Sequence, residues 1–349
     1  MSIESFIRAM PKADLHVSLE GAARPSVWLL LAEQNEIAAG TKNFQQWVNL
    51  LNDPDPARVG DLVRQITSWI RYPDDLTRVV YNAGVALAKE NVRYTEVAVN
   101  PSLFMQNLSF EEMIRALNDG RDRAERGWNI KMRWVLVVPR SEPRRADETV
   151  RWATGASGKS GHVVGFGLIG KEDAQPVGQF ERAFQVAHKK ELSTTVRAGN
   201  TRGAEGILEA LDHLDPARIV DGYGAADAPD VIARMTEHDI PLVLGMSHAL
   251  WSDQVTGYAD LPLRDLLDAG IRLVLTSDMP SIFRSSLSDE YLAAIEHNKL
   301  SIDEVESIAL NALRYSFLPA AERNAFIEAF EAEYIELRNM HLASESEVE

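Results

Sequence analysis

Short apolar runs rich in β-branched residues recur along this chain, and longer stretches of mixed apolar and polar positions separate them. Runs of the first kind fit buried strands, and the spacing in the second fits amphipathic helices. The pattern predicts strands at 13–17, 94–99, 132–138, 163–168, 193–197, 218–221, 241–245 and 272–277. Between them lie helical stretches such as FEEMIRALNDGRDRAERG, QFERAFQVAHKKE, AEGILEALDHL and APDVIARMTEHD. Eight strands alternating with helices predict an α/β fold, a (β/α)8 TIM barrel. An open doubly wound sheet is the alternative, and it usually has fewer strands.

Between about residues 24 and 91 no strand pattern occurs. PSVWLLLAEQNEI, FQQWVNLLND and LVRQITSWIRYPDDLTRVVYNAGVALAKEN all read as helices, so a helical insertion follows strand 1 and can form a lid. From about 287 to 340 the chain is helical again. No internal repeat or low-complexity linker interrupts 1–349, which reads as a single barrel domain.

Active sites of such barrels lie at the C-terminal ends of the strands. Those ends carry His16 and Ser18, Asn100, Arg140, Gly170, Arg197 with Asn200, Asp221, Ser247 with His248, and Asp278. Strands commonly end in polar loops, which covers many of these. It covers less well an Arg, a His and two Asp set directly at strand ends. His248 follows strand 7 and could reach the same mouth, but reads more readily as a loop or surface histidine.

The formal net charge is −16. That argues against nucleic acid or an anionic membrane as partner. Part of the acid sits in the tail ASESEVE, expected to be frayed. The chain has no cysteine, which excludes disulfides, thiolate metal sites and a cysteine nucleophile. The N-terminal stretch lacks a long apolar core, so no secretory signal is expected. No apolar run nears the ~20 residues that span a bilayer, and a cytoplasmic location is expected. GASGKSG at 155–161 lacks the first glycine of a phosphate-binding loop and reads as a flexible loop. PRSEPRR at 139–145 reads as a solvated basic loop. Trp28, Trp47 and Trp69 read as core packing of the insertion.

Several motifs together resemble the adenosine deaminase family. PKADLHVSLEGAARP resembles its first-strand motif PKxELHxHLxG, and ENVRYTEVAVNPSLF its second strand. VVGFGLIGKED resembles the fourth strand, which normally ends GxDLxGxE. TVRAGN stands in the place of HAGE, ARIVDG in the place of RIGHG, and LVLTSDMPSIF with SLSDEY in the place of TDDP and LxxEY. The motifs come in the family's order from about residue 10 to 318.

The resemblance implies a zinc site held by two histidines of HxH, the HAGE histidine and an aspartate. Of these, His16 and Asp278 are retained, while Ser18 and Arg197 stand at the other two positions. Arginine has no lone pair to offer a metal. A catalytic zinc takes about three protein ligands, so no metal and no cofactor are expected. The family's proton-shuttling glutamate corresponds to Asn200, its RIGHG histidine to Asp221, and the second aspartate of TDDP to Met279. Gly170 is unchanged, and Lys171 replaces an aspartate.

These replacements imply an adenosine-deaminase-like barrel that has lost zinc-dependent deamination and keeps a pocket for a purine nucleoside or a similar small molecule. Arg197 is expected either to pair with Asp278 as a fixed charge or to bind an anionic ligand group. Asn200, Gly170, Ser18 and His248 are the other candidate ligand contacts. An alternative is a metal-independent hydrolase or lyase using His16, Asp221 and Asp278 around Arg197. A weaker one is a purine deaminase with an atypical metal site.

Overall fold

Eight parallel strands pair in chain order: β1 (Lys12–Ser18), β2 (Val92–Val99), β3 (Lys131–Pro139), β4 (Val163–Ile169), β5 (Ser193–Ala198), β6 (Arg218–Asp221), β7 (Leu242–Leu244) and β8 (Leu273–Leu275). The computed structural model describes residues 2–37 and 41–342, and the acidic tail ASESEVE lies outside the described residues. Helices surround the strands, and the whole is a (β/α)8 barrel, nearly closed. Among the described residues no helix is long and apolar enough to cross a membrane.

The seam between β8 and β1 is closed largely by side chains. Asp14 of β1 accepts hydrogen bonds from the Thr276 hydroxyl at 2.5 Å, the Ser277 hydroxyl at 2.6 Å and the Ser277 amide at 3.0 Å. The Ser18 amide then donates to the Asp278 carbonyl at 2.8 Å. This explains why β8 is shorter than the apolar run suggests. The Thr276 amide still donates to the Leu244 carbonyl of β7 at 3.0 Å, but beyond it residues 277 and 278 bond Asp14 and Ser18, and Asp278 turns to a φ of +52°.

Inside the barrel a fully buried ion pair joins β2 to β6. Arg218 donates to Glu96 at 2.5 Å and to the Leu15 carbonyl at 3.0 Å, and its guanidinium lies 3.9 Å above the Phe317 ring. Glu96 also accepts from the Tyr94 hydroxyl at 2.8 Å and the Phe317 amide at 2.5 Å. Charged groups this deep persist only when paired and hydrogen-bonded.

The segment after β1 is helical, as its pattern predicts: Pro25–Gln34, Thr41–Asn52, Val59–Thr67 and Pro73–Lys89. Trp28 and Trp69 are buried in it, and Trp47 meets the Trp69 ring edge-on at 6.2 Å. Asp75 fixes the entry to the last helix by accepting from the Arg71 and Tyr72 amides at 2.9 and 3.0 Å. At 155–161 the structure corrects the expected loop, because Ala156–Ser160 is a short helix. Gly158 lets that turn seat on the preceding helix, where a Cβ would lie 2.2 Å from the Trp152 carbonyl oxygen.

Substituting Arg218→Met leaves Glu96 charged, buried and short of its main partner. The expected loss is about 3–5 kcal/mol in urea unfolding. Adding Glu96→Gln to the same chain is expected to restore most of it, and an unchanged loss in the double variant would show that the ion pair is not the cause.

Candidate functional site

Arg197 is the penultimate residue of β5 at the barrel mouth, and two carboxylates close on it, Asp221 from the end of β6 and Asp278 from the turn after β8. Its Nη2 lies 2.7 Å from Asp278 Oδ2 and its Nε 3.2 Å from Asp221 Oδ2. Its Nη1 lies 3.2 Å from His248 Nε2, and His248 Nδ1 lies 3.4 Å from Asp221 Oδ1. Arginine can only donate, so in this contact His248 Nε2 is the acceptor.

The backbone is bent to make this possible. Asp221 and Asp278 both sit in the left-handed region, at φ +72° and +52°. Asp tolerates that region better than most residues, at a cost of about 1–2 kcal/mol each. Gly199 follows Arg197 at φ +88°, where a Cβ would stand 2.7 Å from Gly222 Cα. The turn after β5 therefore needs glycine.

Smaller groups complete the cluster. The Ser18 hydroxyl donates to Asp278 Oδ1 at 3.0 Å, and Asn200 Nδ2 donates to Asp221 Oδ2 at 3.1 Å. Arg140, 1% exposed, donates to the Arg197 carbonyl at 3.2 Å and so lies beneath the mouth. The Asn200 Oδ1 and the Tyr223 hydroxyl are buried without a partner.

Charge states follow from burial and proximity. Burial would raise both carboxyl groups, but the Arg197 guanidinium overrides it and holds Asp221 and Asp278 below the ordinary range. Burial likewise works against the Arg197 charge, and the two aspartates raise it, so Arg197 stays protonated. His16 is pushed down to about 4, by burial first and then by Arg197, so it is neutral at pH 7. Arg197 thus sets one fixed positive charge against two buried carboxylates.

Above the cluster opens a cleft of about 510 Å³. Val59, Gly60 and Arg64 of the helical insertion form one wall, and Trp251, Met279 and Phe283 form another. Arg197 and His248 reach its surface, with Lys171 at the rim. Asp221 and Asp278 are each 1% exposed and lie behind Arg197.

The structure thus brings Ser18, Arg197, Asn200, Asp221, His248 and Asp278 together, and places the buried His16 in the same electrostatic environment. Gly170 ends β4 at φ +90° and does not line the cleft, which Lys171 does. The anion-binding expectation for Arg197 is weakened by its two carboxylates, and the pairing expectation matches the geometry.

Two residues of this region were not among the candidates. Glu172 accepts three backbone amides from the loop that carries Asn200. Glu20 is 6% exposed, with one carboxylate oxygen lacking a partner. Each sits inside a family-like motif, two residues past a candidate position, which was the only signal for them.

Comparison with known proteins places these features in context. A family described as adenosine deaminase matches residues 11–333. An aminodeoxyfutalosine deaminase of Streptomyces avermitilis is 30% identical over 323 residues, covering 91% of this chain and 90% of that one. A cog1816 amidohydrolase from Burkhoderia ambifaria, solved with bound zinc, shares the fold at a TM-score of 0.87 and 22% identity, over 97% of this chain and 95% of that one. Arabidopsis ADAL, solved with IMP, does so at 0.85 and 23%, over 95% and 99%.

The zinc-bound neighbour corrects the expectation that no metal cofactor is involved. The expectation failed because it counted protein ligands at four aligned positions and treated that count as excluding the ion. The donor geometry points the other way. Among the described residues no three His, Cys, Asp or Glu side chains group to hold a metal. Asp278 is committed to Arg197 and Ser18, so the residues as placed do not fit one.

Glu20 yields a pH test. Burial first, then the charge of Asp278, raises its carboxyl from 4.5 to about 7. A raised folded value means that the protonated form stabilises the fold. That contribution is full below 4.5 and is lost as pH rises through about 7. Glu20→Gln keeps the neutral form. Its melting temperature relative to wild type is expected to climb between about pH 5 and about pH 8. An offset that stays constant across that range would show that Glu20 does not titrate there.

Proposed function

The chain belongs to the adenosine deaminase family, and from that premise we propose that the mouth cleft holds a purine-type small molecule without hydrolytically deaminating it. The observation that carries this is the Arg197 guanidinium, facing the cleft with Asp221 and Asp278 behind it.

The two carboxylates already paired with Arg197 disfavour a carboxylate or phosphate against its floor. A guanidinium carries more N–H donors than these partners use. A neutral acceptor, such as the carbonyl oxygen of an oxopurine, suits what remains. Trp251 and Phe283 offer apolar walls to a flat ring. Arg64 and Lys171 stand at the rim, where a charged substituent would lie. The Arabidopsis neighbours solved with IMP and with GMP support an oxopurine as the first ligand to try.

Proton transfer is where deamination fails in this reading. A general acid or base works best with a pKa near the working pH. His16 lies near 4, and both aspartates are held below the ordinary carboxylate range. Asn200 cannot move a proton at neutral pH. The same values weigh against a metal-free hydrolase built on these three residues.

A second reading is metal-assisted purine deamination. It is favoured by the deaminase relative at 30% identity and by Glu20, the one carboxyl beside Asp278 raised to about 7.

Binding and ammonia release separate the readings. IMP at about 100 times its dissociation constant is expected to stabilise the chain by about 2.7 kcal/mol. Arg197→Met is expected to abolish that gain. No ammonia is expected from adenosine, adenine or AMP, with or without added zinc. Zinc-dependent release would overturn the first reading and establish the second.

A further inference from the structure

We infer that Glu172 is the positioning residue that holds Arg197 and Asn200 in place at the mouth. Its side chain, 2% exposed, enters from the loop after β4 and meets the loop after β5. Oε1 accepts from the Gly199 amide at 2.9 Å. Oε2 accepts from the Asn200 amide at 2.8 Å and the Arg202 amide at 3.2 Å. One carboxylate therefore gathers three amides of a single loop, beginning two residues past Arg197.

Two further features show that the space is shaped for this carboxylate. Gly206, on the helix Gly203–Leu214, stands so close that a Cβ would lie 2.1 Å from Glu172 Oε1. From the other side Arg140 donates to the Arg197 carbonyl at 3.2 Å, and its charge and that of Glu172 attract each other. The strip 197–202 is thus pinned at its first residue by Arg140 and along its length by Glu172. Neither residue reaches the cleft surface. They fix the direction in which Arg197 and Asn200 project, while Asp221 and Asp278 fix where the guanidinium ends.

A loop cap with no bearing on the site would tie down the same amides, so the test must read Arg197 and binding as well as the loop. The variants are Glu172→Gln, which keeps the shape and removes one acceptor, and Gly206→Ala, which displaces the carboxylate without altering it. In the full chain, hydrogen exchange across 197–202 is expected to quicken about tenfold, the worth of one lost charge-assisted hydrogen bond. The Arg197 Nε–H resonance, sheltered in the wild type, is expected to exchange with solvent in both variants. IMP affinity is expected to fall about tenfold in both, with the melting temperature little changed. This last arm rests on the purine-pocket reading.

If exchange at 197–202 stays at the wild-type rate in both variants, the pinning is refuted. If exchange quickens while the Arg197 signal and IMP affinity hold, Glu172 is a loop cap and the positioning role is refuted. If the wild type binds no IMP, the pocket reading falls, and the Arg197 signal alone decides the role of Glu172.

Discussion

A guanidinium held between two buried carboxylates organises the mouth of this barrel. Arg197, Asp221 and Asp278 come from three different strand ends, and both carboxylates depend on the one guanidinium. Burying charge is costly, and a buried ion pair roughly breaks even against apolar residues of similar size. The cluster is therefore a poor source of stability and a strong constraint on geometry, because removing Arg197 leaves two buried carboxylates uncompensated. The left-handed backbone at both aspartates is the local strain that this arrangement tolerates.

The same arrangement decides what chemistry the site can perform. It moves the titration of four groups away from pH 7: Arg197, Asp221 and Asp278 stay charged, and His16 stays uncharged. Such a site can present a fixed field and fixed donors to a ligand. It is badly set for passing protons. A structural neighbour holds zinc, whereas among the described residues of this chain no three such donors group for a metal. Asp278 carries that tension, because a metal and Arg197 would compete for the same carboxylate.

Much of the fold was legible because a parallel barrel strand is apolar on both faces and announces itself in one dimension. The ends of the strands were less so. Residues 276 and 277 read as strand, and only the third dimension shows Thr276 and Ser277 turning to Asp14. Arg197 and Asp278 could be paired from motif order alone. His248 could not, since nothing in a loop sequence shows that it folds back between Asp221 and Arg197. Glu172 was invisible for the same reason, because its partners are backbone amides some 30 residues away. The metal was misjudged because a count of side chains at matched positions carries no information about water, or about donors brought in from elsewhere.

Arg197 and Asp278 form one energetic unit in this picture of the mouth. A double-mutant cycle in urea at neutral pH, with Arg197→Met, Asp278→Asn and the two combined, measures this directly. The expected coupling is about 1.5 kcal/mol or more, as buried charged partners in one network show. A coupling below about 0.5 kcal/mol, the size at which distant sites simply add, would contradict it.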